Sequence, residues 1–174
     1  MRKEENAKKL ILDIGCGKHS RGDIGIDYSK DSDATIVADS HFLPFKNEVF
    51  DEVVSVTVLE HSPNPLQFLK EQRRVLKKNG KVICETDNAQ YYKWSVLNVG
   101  AGGENHQDFH QDHYLIFYPE NVKRLMKLAG LCPLECRYLR TKKKADLFAI
   151  VLIKFGIWRK TCLYWRFRIV ASCV

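Results

Sequence analysis

The chain has 174 residues, 45% of them hydrophobic and 28% charged, with ten glycines and five prolines. That length suits one domain whose core needs no disulfide or zinc staple. The composition excludes a disordered, collagen-like or low-complexity chain, and no apolar run approaches the ~18 residues of a membrane span. The net charge of +7 is unevenly placed. Residues 137–174 hold ten Lys and Arg against one acid, Asp146, whereas residues 1–136 carry eighteen against twenty. A nucleic-acid or anionic-membrane contact therefore belongs to the C-terminal end. Met1 to Glu5 leads into no apolar stretch, so a cytoplasmic location is expected. Six cysteines without a CxxC pair read as reduced, buried or semi-buried thiols.

Strand-like segments alternate with helix signals, the pattern of a parallel sheet. Leu10–Ile14 reads as a buried strand running into the turn Gly15-Cys16-Gly17. Asp23–Asp27 and Thr35–Asp39 are short strands that each end in an acid. Asp51–Val58, with Val53, Val54, Val56 and Val58, is apolar on both faces and belongs in mid-sheet. Asn64 caps a helix and Pro65 suits its first position. Phe68 with Val75 and Leu69 with Leu76 mark its apolar face, and Asn79-Gly80 supplies its stop. Lys81–Thr86 is the next strand. A helix follows over 119–129, with Val122, Leu125, Met126 and Ala129 on one stripe. Segments 134–140 and 146–154 read as a final hairpin.

Three consecutive strands thus finish in an acid or a glycine turn: Asp13 with Gly15 and Gly17, then Asp27, then Asp39. Ligands of open parallel sheets sit beyond the carboxyl ends of the strands. Glycines let backbone approach a ligand closely. An acid ending the second strand can accept both hydroxyls of a ribose, and one ending the third can accept the exocyclic amine of adenine. An acid at the first turn can meet an ammonium group. A dinucleotide site needs GxGxxG and an acid about 20 residues on. Gly15-Cys16-Gly17-Lys18-His19-Ser20 lacks the third glycine, and Asp27 follows too soon. No Walker loop occurs. The pattern suits a ligand made of adenosine and an amino acid, without phosphate.

LDIGCG (12–17), GIDYS (25–29), VADSHFLPF (37–45), FDEVVSVTVLEH (50–61) and FLKEQRRVLKKNGKVICET (68–86) together resemble the class I S-adenosylmethionine-dependent methyltransferases. Within that class they resemble the small-molecule type whose fourth strand ends in LEH or LHH. YPENVKRLMKLAG (118–130) is similar to a later helix of the same family. The resemblance implies an α/β, Rossmann-like, mostly parallel seven-stranded sheet with an antiparallel final hairpin, and S-adenosylmethionine as cofactor. It puts the methionine end over Asp13, Gly15, Cys16 and Gly17, the ribose on Asp27, and Tyr28 beside the adenine. Asp39 and Ser40 would read the adenine edge. Val56 and Thr57 would line the methionine side, with Glu60 and His61 opening toward the acceptor.

The sequence departs from the family in one respect above all. Residues 18–22 and 29–34 are too few for the crossover helices that usually join the first three strands. Both connections must be tight loops, and one sheet face is left poor in helices. Residues 88–118 form a lid-like insertion in a domain spanning 1–154. Within it, His106, His110 and His113 with Asp108 and Asp112 have a metal-like spacing that admits zinc or iron. The simpler reading is a wet, polar lid without metal; a third is that His106 or His113 takes a proton from the acceptor. His61 joins them as a candidate acid–base residue. The Asn-Pro-Pro-Tyr motif of base-amino DNA methyltransferases is absent, since Glu60-His61-Ser62-Pro63 stands in its place.

The aromatic and basic tail 155–174 is expected to strap the helix-poor face, with Arg159, Lys160, Arg166 and Arg168 in solvent. Contact with RNA or with a membrane surface, and a homodimer through the helix-poor face, are its other readings. The expected activity is methyl transfer to a small or lipid-linked acceptor. An RNA methyltransferase, or a non-catalytic cofactor-binding partner subunit, is the alternative.

Overall fold

The computed structural model describes residues 8–91, 113–139, 154, 156, 164 and 166–173. Seven strands form one sheet: β1 (Ile11–Ile14), β2 (Ile24–Asp27), β3 (Ile36–Val37), β4 (Phe50–Val56), β5 (Leu76–Asp87), β6 (Cys132–Leu139) and β7 (Arg166–Ser172). Helix α1 (Pro65–Val75) precedes β5 and helix α2 (Pro119–Leu128) precedes β6. A 3-10 turn, Leu59–His61, follows β4. The strand order is β3-β2-β1-β4-β5-β7-β6. The first five are parallel, and β7 runs antiparallel to both β5 and β6. The expected mostly parallel, Rossmann-like sheet is therefore present.

Register explains why one face is so well buried. Leu12, Val53, Val82 and Ala171 form one row across four strands, all at 0% exposure. Ile14, Ser55, Cys84 and Ile169 form the next row, again essentially sealed. Against these rows pack Phe68, Leu69 and Val75 of α1 and Val122 and Met126 of α2. On the opposite face, Ile11, Ile83 and Val170 are only half-buried. The β1–β2 and β2–β3 connections hold turns and bends but no helix, as their lengths require. Among the described residues no helix is long and apolar enough to cross a membrane.

Two expectations are corrected. Helix α1 stops at Val75, short of Asn79-Gly80, because Leu76 already pairs with Phe50 as the first residue of β5. Asn79 does take the left-handed backbone of a stop signal (φ 61), but within the strand. Gly80 is required there: a Cβ would lie 2.8 Å from the Leu76 side chain and 2.9 Å from the Asp51 carbonyl oxygen.

The second correction concerns the tail. Segment 146–154, expected to complete the final hairpin, lies outside the described residues except for the exposed Lys154. The partner of β6 is Arg166–Ser172, which enters the sheet between β5 and β6. Residues 166–172 are thus a strand of the sheet, not a strap laid over it. Phe167, Ile169 and Ala171 alternate into the core at 0% exposure, the period of a strand. Arg166 and Arg168 are not left to solvent alone: they form ion pairs with Asp87 and Glu85 of β5.

Candidate functional site

The carboxyl ends of β1 to β5 line up along one edge, and the sequence-predicted residues that are described follow those strand ends, His113 excepted. β1 runs into Gly15-Cys16-Gly17, whose backbone folds over β2: the Gly15 and Cys16 N–H groups donate to Ile26 O at 2.8 and 3.1 Å. Gly15 has φ +67, and a Cβ on it would fall 2.3 Å from Val58 Cγ2. Only glycine lets the β4 end pack this closely on the turn. Gly17, at φ +57, has open space where a Cβ would stand.

Asp13 is fully buried. Its Oδ2 accepts from the Arg21 N–H at 2.7 Å, with the Arg21 guanidinium at 3.5 Å. Its Oδ1 is buried without a hydrogen-bond partner among the described residues. Burial pushes its carboxyl above the usual carboxylate range, against the Arg21 contacts. A buried, under-satisfied carboxylate beside a glycine turn fits a ligand that brings an ammonium group.

Asp27 ends β2 and accepts from two backbone groups, Gly17 N–H at Oδ2 and Ser29 N–H at Oδ1, both at 2.9 Å. It ties the glycine turn to the end of β2 and retains lone pairs on both oxygens. Tyr28 beside it is 85% exposed, open to stack on a planar ligand.

Beyond β3, Asp39 and Ser40 lie at the same edge. Asp39 Oδ1 accepts the His41 N–H at 2.8 Å and sits 2.7 Å from His41 Nδ1. The His41 N–H, then its ring, holds the Asp39 carboxyl below its ordinary range. His41 Nε2 lies 2.7 Å from the buried Ser62 Oγ, joining the β3 loop to the turn after β4. Sequence reasoning missed His41 and Ser62. The signal was local: Asp39 bonding the N–H two residues on is an Asx-turn.

Val56 ends β4, and Thr57 takes a left-handed backbone at φ 56. Its N–H donates to Glu85 O at 2.9 Å and its Oγ1 to Val56 O at 2.7 Å. The following 3-10 turn buries Glu60 completely. Thr86 Oγ1 donates to Glu60 Oε2 at 2.7 Å, while Oε1 has no partner among the described residues. Burial, above all, pushes the Glu60 carboxyl up to about 7. The His61 and His113 rings meet edge to face with centroids 4.6 Å apart. Leu115 N–H donates to Glu60 O at 3.3 Å, bringing the segment after the insertion against the turn. His106, the remaining acid–base candidate, lies outside the described residues.

A parallel sheet whose first strand ends in a glycine turn, whose next two end in acids, and whose last pairs are antiparallel has the architecture of class I methyltransferases. The chain matches the family described as "Methyltransferase domain" over residues 23–84. It is 31% identical over 152 residues to the uncharacterized protein MJ0638 of Methanocaldococcus jannaschii, covering 76% of this chain and 67% of that protein. A second protein of that organism, MJ1252, is 33% identical over 116 residues, 59% of this chain. The chain spans about half of MJ1252's length (46%). A shorter stretch, 54 residues at 35% identity, matches the ubiquinone biosynthesis O-methyltransferase of Histophilus somni, 31% of this chain and 23% of that one. A solved S-adenosylmethionine-dependent methyltransferase from Thermotoga maritima shares the fold at a TM-score of 0.69 and 19% identity, covering 96% of this chain and 83% of that one. The matched segment is a methyltransferase domain set in the class I fold, the class whose cofactor is S-adenosylmethionine.

Proposed function

We propose that this protein transfers a methyl group from S-adenosylmethionine to a small or lipid-linked acceptor. The observation that carries the cofactor half is the buried Asp13 oxygen without a partner, set beside Gly15 and Gly17 and one loop from Asp27. Asp13 would receive the amino group of the methionine part, and the backbone of Gly15, Cys16 and Gly17 would border it. Asp27 would hold the ribose hydroxyls, with Tyr28 against the adenine and Asp39 and Ser40 at its edge. Val56 and Thr57 would flank the methionine chain.

The bound cofactor supplies a methyl group on a sulfonium that is already activated. The protein's work is then alignment and exclusion of water. On the acceptor side stand Glu60, His61 and His113, where an imidazole can take the proton of an acceptor hydroxyl or acidic carbon. Tyr114, Leu115 and Ile116, exposed at 67, 41 and 38%, continue directly from His113. Three consecutive exposed apolar and aromatic side chains beside the reactive end favour an aromatic or lipid-linked acceptor. The similarity to a ubiquinone biosynthesis O-methyltransferase points the same way.

The test is incubation of the protein with S-adenosylmethionine carrying a labelled methyl group and fractionated cell extract, followed by mass spectrometry. Label in a small aromatic or prenylated compound is the expected result. Label only in RNA would refute the acceptor class.

A further inference from the structure

We infer that Glu60, His61 and His113 form a site for one divalent transition-metal ion at the acceptor end of the methyl-transfer cleft. Each of the three offers a ligand atom, a carboxylate oxygen or an imidazole nitrogen, and these atoms all lie within 4.8 Å of one another. Ligand atoms around Zn2+ stand roughly 3.4 Å apart, given bonds of ~2.0–2.1 Å. Binding would draw the three atoms together by side-chain rotation, and Glu60 and His61 are neighbours in one 3-10 turn.

A second, independent observation points to a cation here. Glu60 is fully buried, and one of its carboxylate oxygens has no hydrogen-bond partner among the described residues. An under-satisfied buried carboxylate is costly unless something positive meets it. The surroundings fit as well. Thr86 Oγ1 holds the other Glu60 oxygen at 2.7 Å. Asp87 Oδ2 stands 3.7 Å from His113 Nδ1, beyond hydrogen-bond distance, and adds negative charge beside the cluster. Asp87 is itself anchored by Arg166 at 3.0 Å.

Two imidazoles and one carboxylate suit zinc, iron(II) or manganese, and three protein ligands leave at least one coordination position open. This site departs from the His106, His110 and His113 grouping read from spacing alone: His113 is shared, but its partners come from the turn after β4. Resting on the methyltransferase reading, the inference makes His61 and His113 ligands in place of proton acceptors and narrows the acceptor to one with an oxygen donor, a phenol, catechol or carboxylate, bound through that open position.

The experiment uses the full chain, stripped with chelator and titrated with Zn2+ by calorimetry and with Co2+ by visible absorption. One equivalent per chain, with Co2+ bands of low-coordinate intensity, is the expected result. His61→Ala and His113→Ala should each weaken Zn2+ binding at least tenfold, while His106→Ala and His110→Ala leave it within twofold. S-adenosylhomocysteine affinity, measured on each variant, reports folding and the methyltransferase reading separately from the metal. Absence of binding in a protein that binds S-adenosylhomocysteine overturns the inference. Binding that survives His61→Ala but is lost with His106→Ala or His110→Ala overturns it too.

Discussion

Arg166 on β7 places its Nε 3.0 Å from Oδ1 of Asp87, the residue directly opposite it on β5. Two residues along, Arg168 Nε meets Glu85 Oε1 at 2.6 Å in the same ladder. The basic end of the chain is therefore docked rung by rung on acids of the sheet, and opposite charges on facing positions favour that register. The larger stabilising term lies between the arginines, where Phe167 is fully buried. Phe167→Ala should cost about 3–5 kcal/mol. At roughly 2–4 °C per kcal/mol for a chain of this size, the melting temperature should fall by ~6–20 °C in thermal unfolding. Arg168→Ala, whose side chain is 45% exposed, should cost less than ~1 kcal/mol.

Asp27→Ala should lower S-adenosylhomocysteine affinity at least tenfold in calorimetry. The variant loses the acceptor for the Gly17 and Ser29 N–H groups as well as the proposed ribose contacts, and each charge-assisted bond is worth ~1.5–3 kcal/mol. NAD should bind neither form. Unchanged affinity in the variant would rule out the ribose assignment.

Gly15→Ala tests the close approach of turn and strand end. The added methyl would meet Val58 Cγ2 at 2.3 Å, and φ +67 disfavours any side chain. Loss of cofactor binding with the fold retained by circular dichroism is expected. The double variant Gly15→Ala, Val58→Ala should recover part of the affinity, because the clash is removed and only the backbone cost remains.

A pH effect on stability follows from Glu71. Its carboxylate accepts from Arg74 Nε and Nη2 at 2.7 Å and from the Leu43 N–H at 2.8 Å, and Arg74 above all holds its pKa below the ordinary value. A carboxyl lowered in the folded state stabilises it above the unfolded pKa of ~4.3, and that stability is lost as pH falls through the folded value. Glu71→Gln should therefore melt several degrees below the parent protein at pH 7, and the gap should close as the pH drops below about 4. A gap that stays constant down to pH 3 would contradict the assignment.

His41→Ala should weaken cofactor binding a few-fold while leaving the melting temperature near that of the parent. It removes the ring that fixes Asp39 and the link to Ser62, so Asp39 would lose its orientation but not its charge. His41→Asn, which keeps a polar group beside Asp39, should restore part of the affinity. Equal cofactor affinity in all three proteins would show that the Asp39 carboxylate needs no such support.

Much of this protein is written in short-range pattern. The end of β1 in Gly15-Cys16-Gly17, the acids after β2 and β3, the doubly apolar β4 and the Asn64-Pro65 start of α1 each follow from neighbours a few residues apart. Asn64 accepts the Gln67 N–H as an N-cap should. The lack of crossover helices was a matter of counting residues. What local pattern does not carry is which strand pairs with which. Residues 166–172 begin in alternation, Arg166-Phe167-Arg168-Ile169, but run on apolar through Val170 and Ala171; their basic and aromatic neighbours gave them the look of a separate tail, and only pairing with Glu85 and Asp87 decided their place. The helix end at Val75 has the same cause: Leu76, whose N–H still closes the helix on Gln72 O, already stands in register with Phe50, a partner 26 residues away. Glu60, His61 and His113 became a cluster because the chain returns to the turn after β4 through Leu115. Backbone hydrogen bonds must be paired wherever the core excludes water, and the choice of partner is a property of the whole sheet.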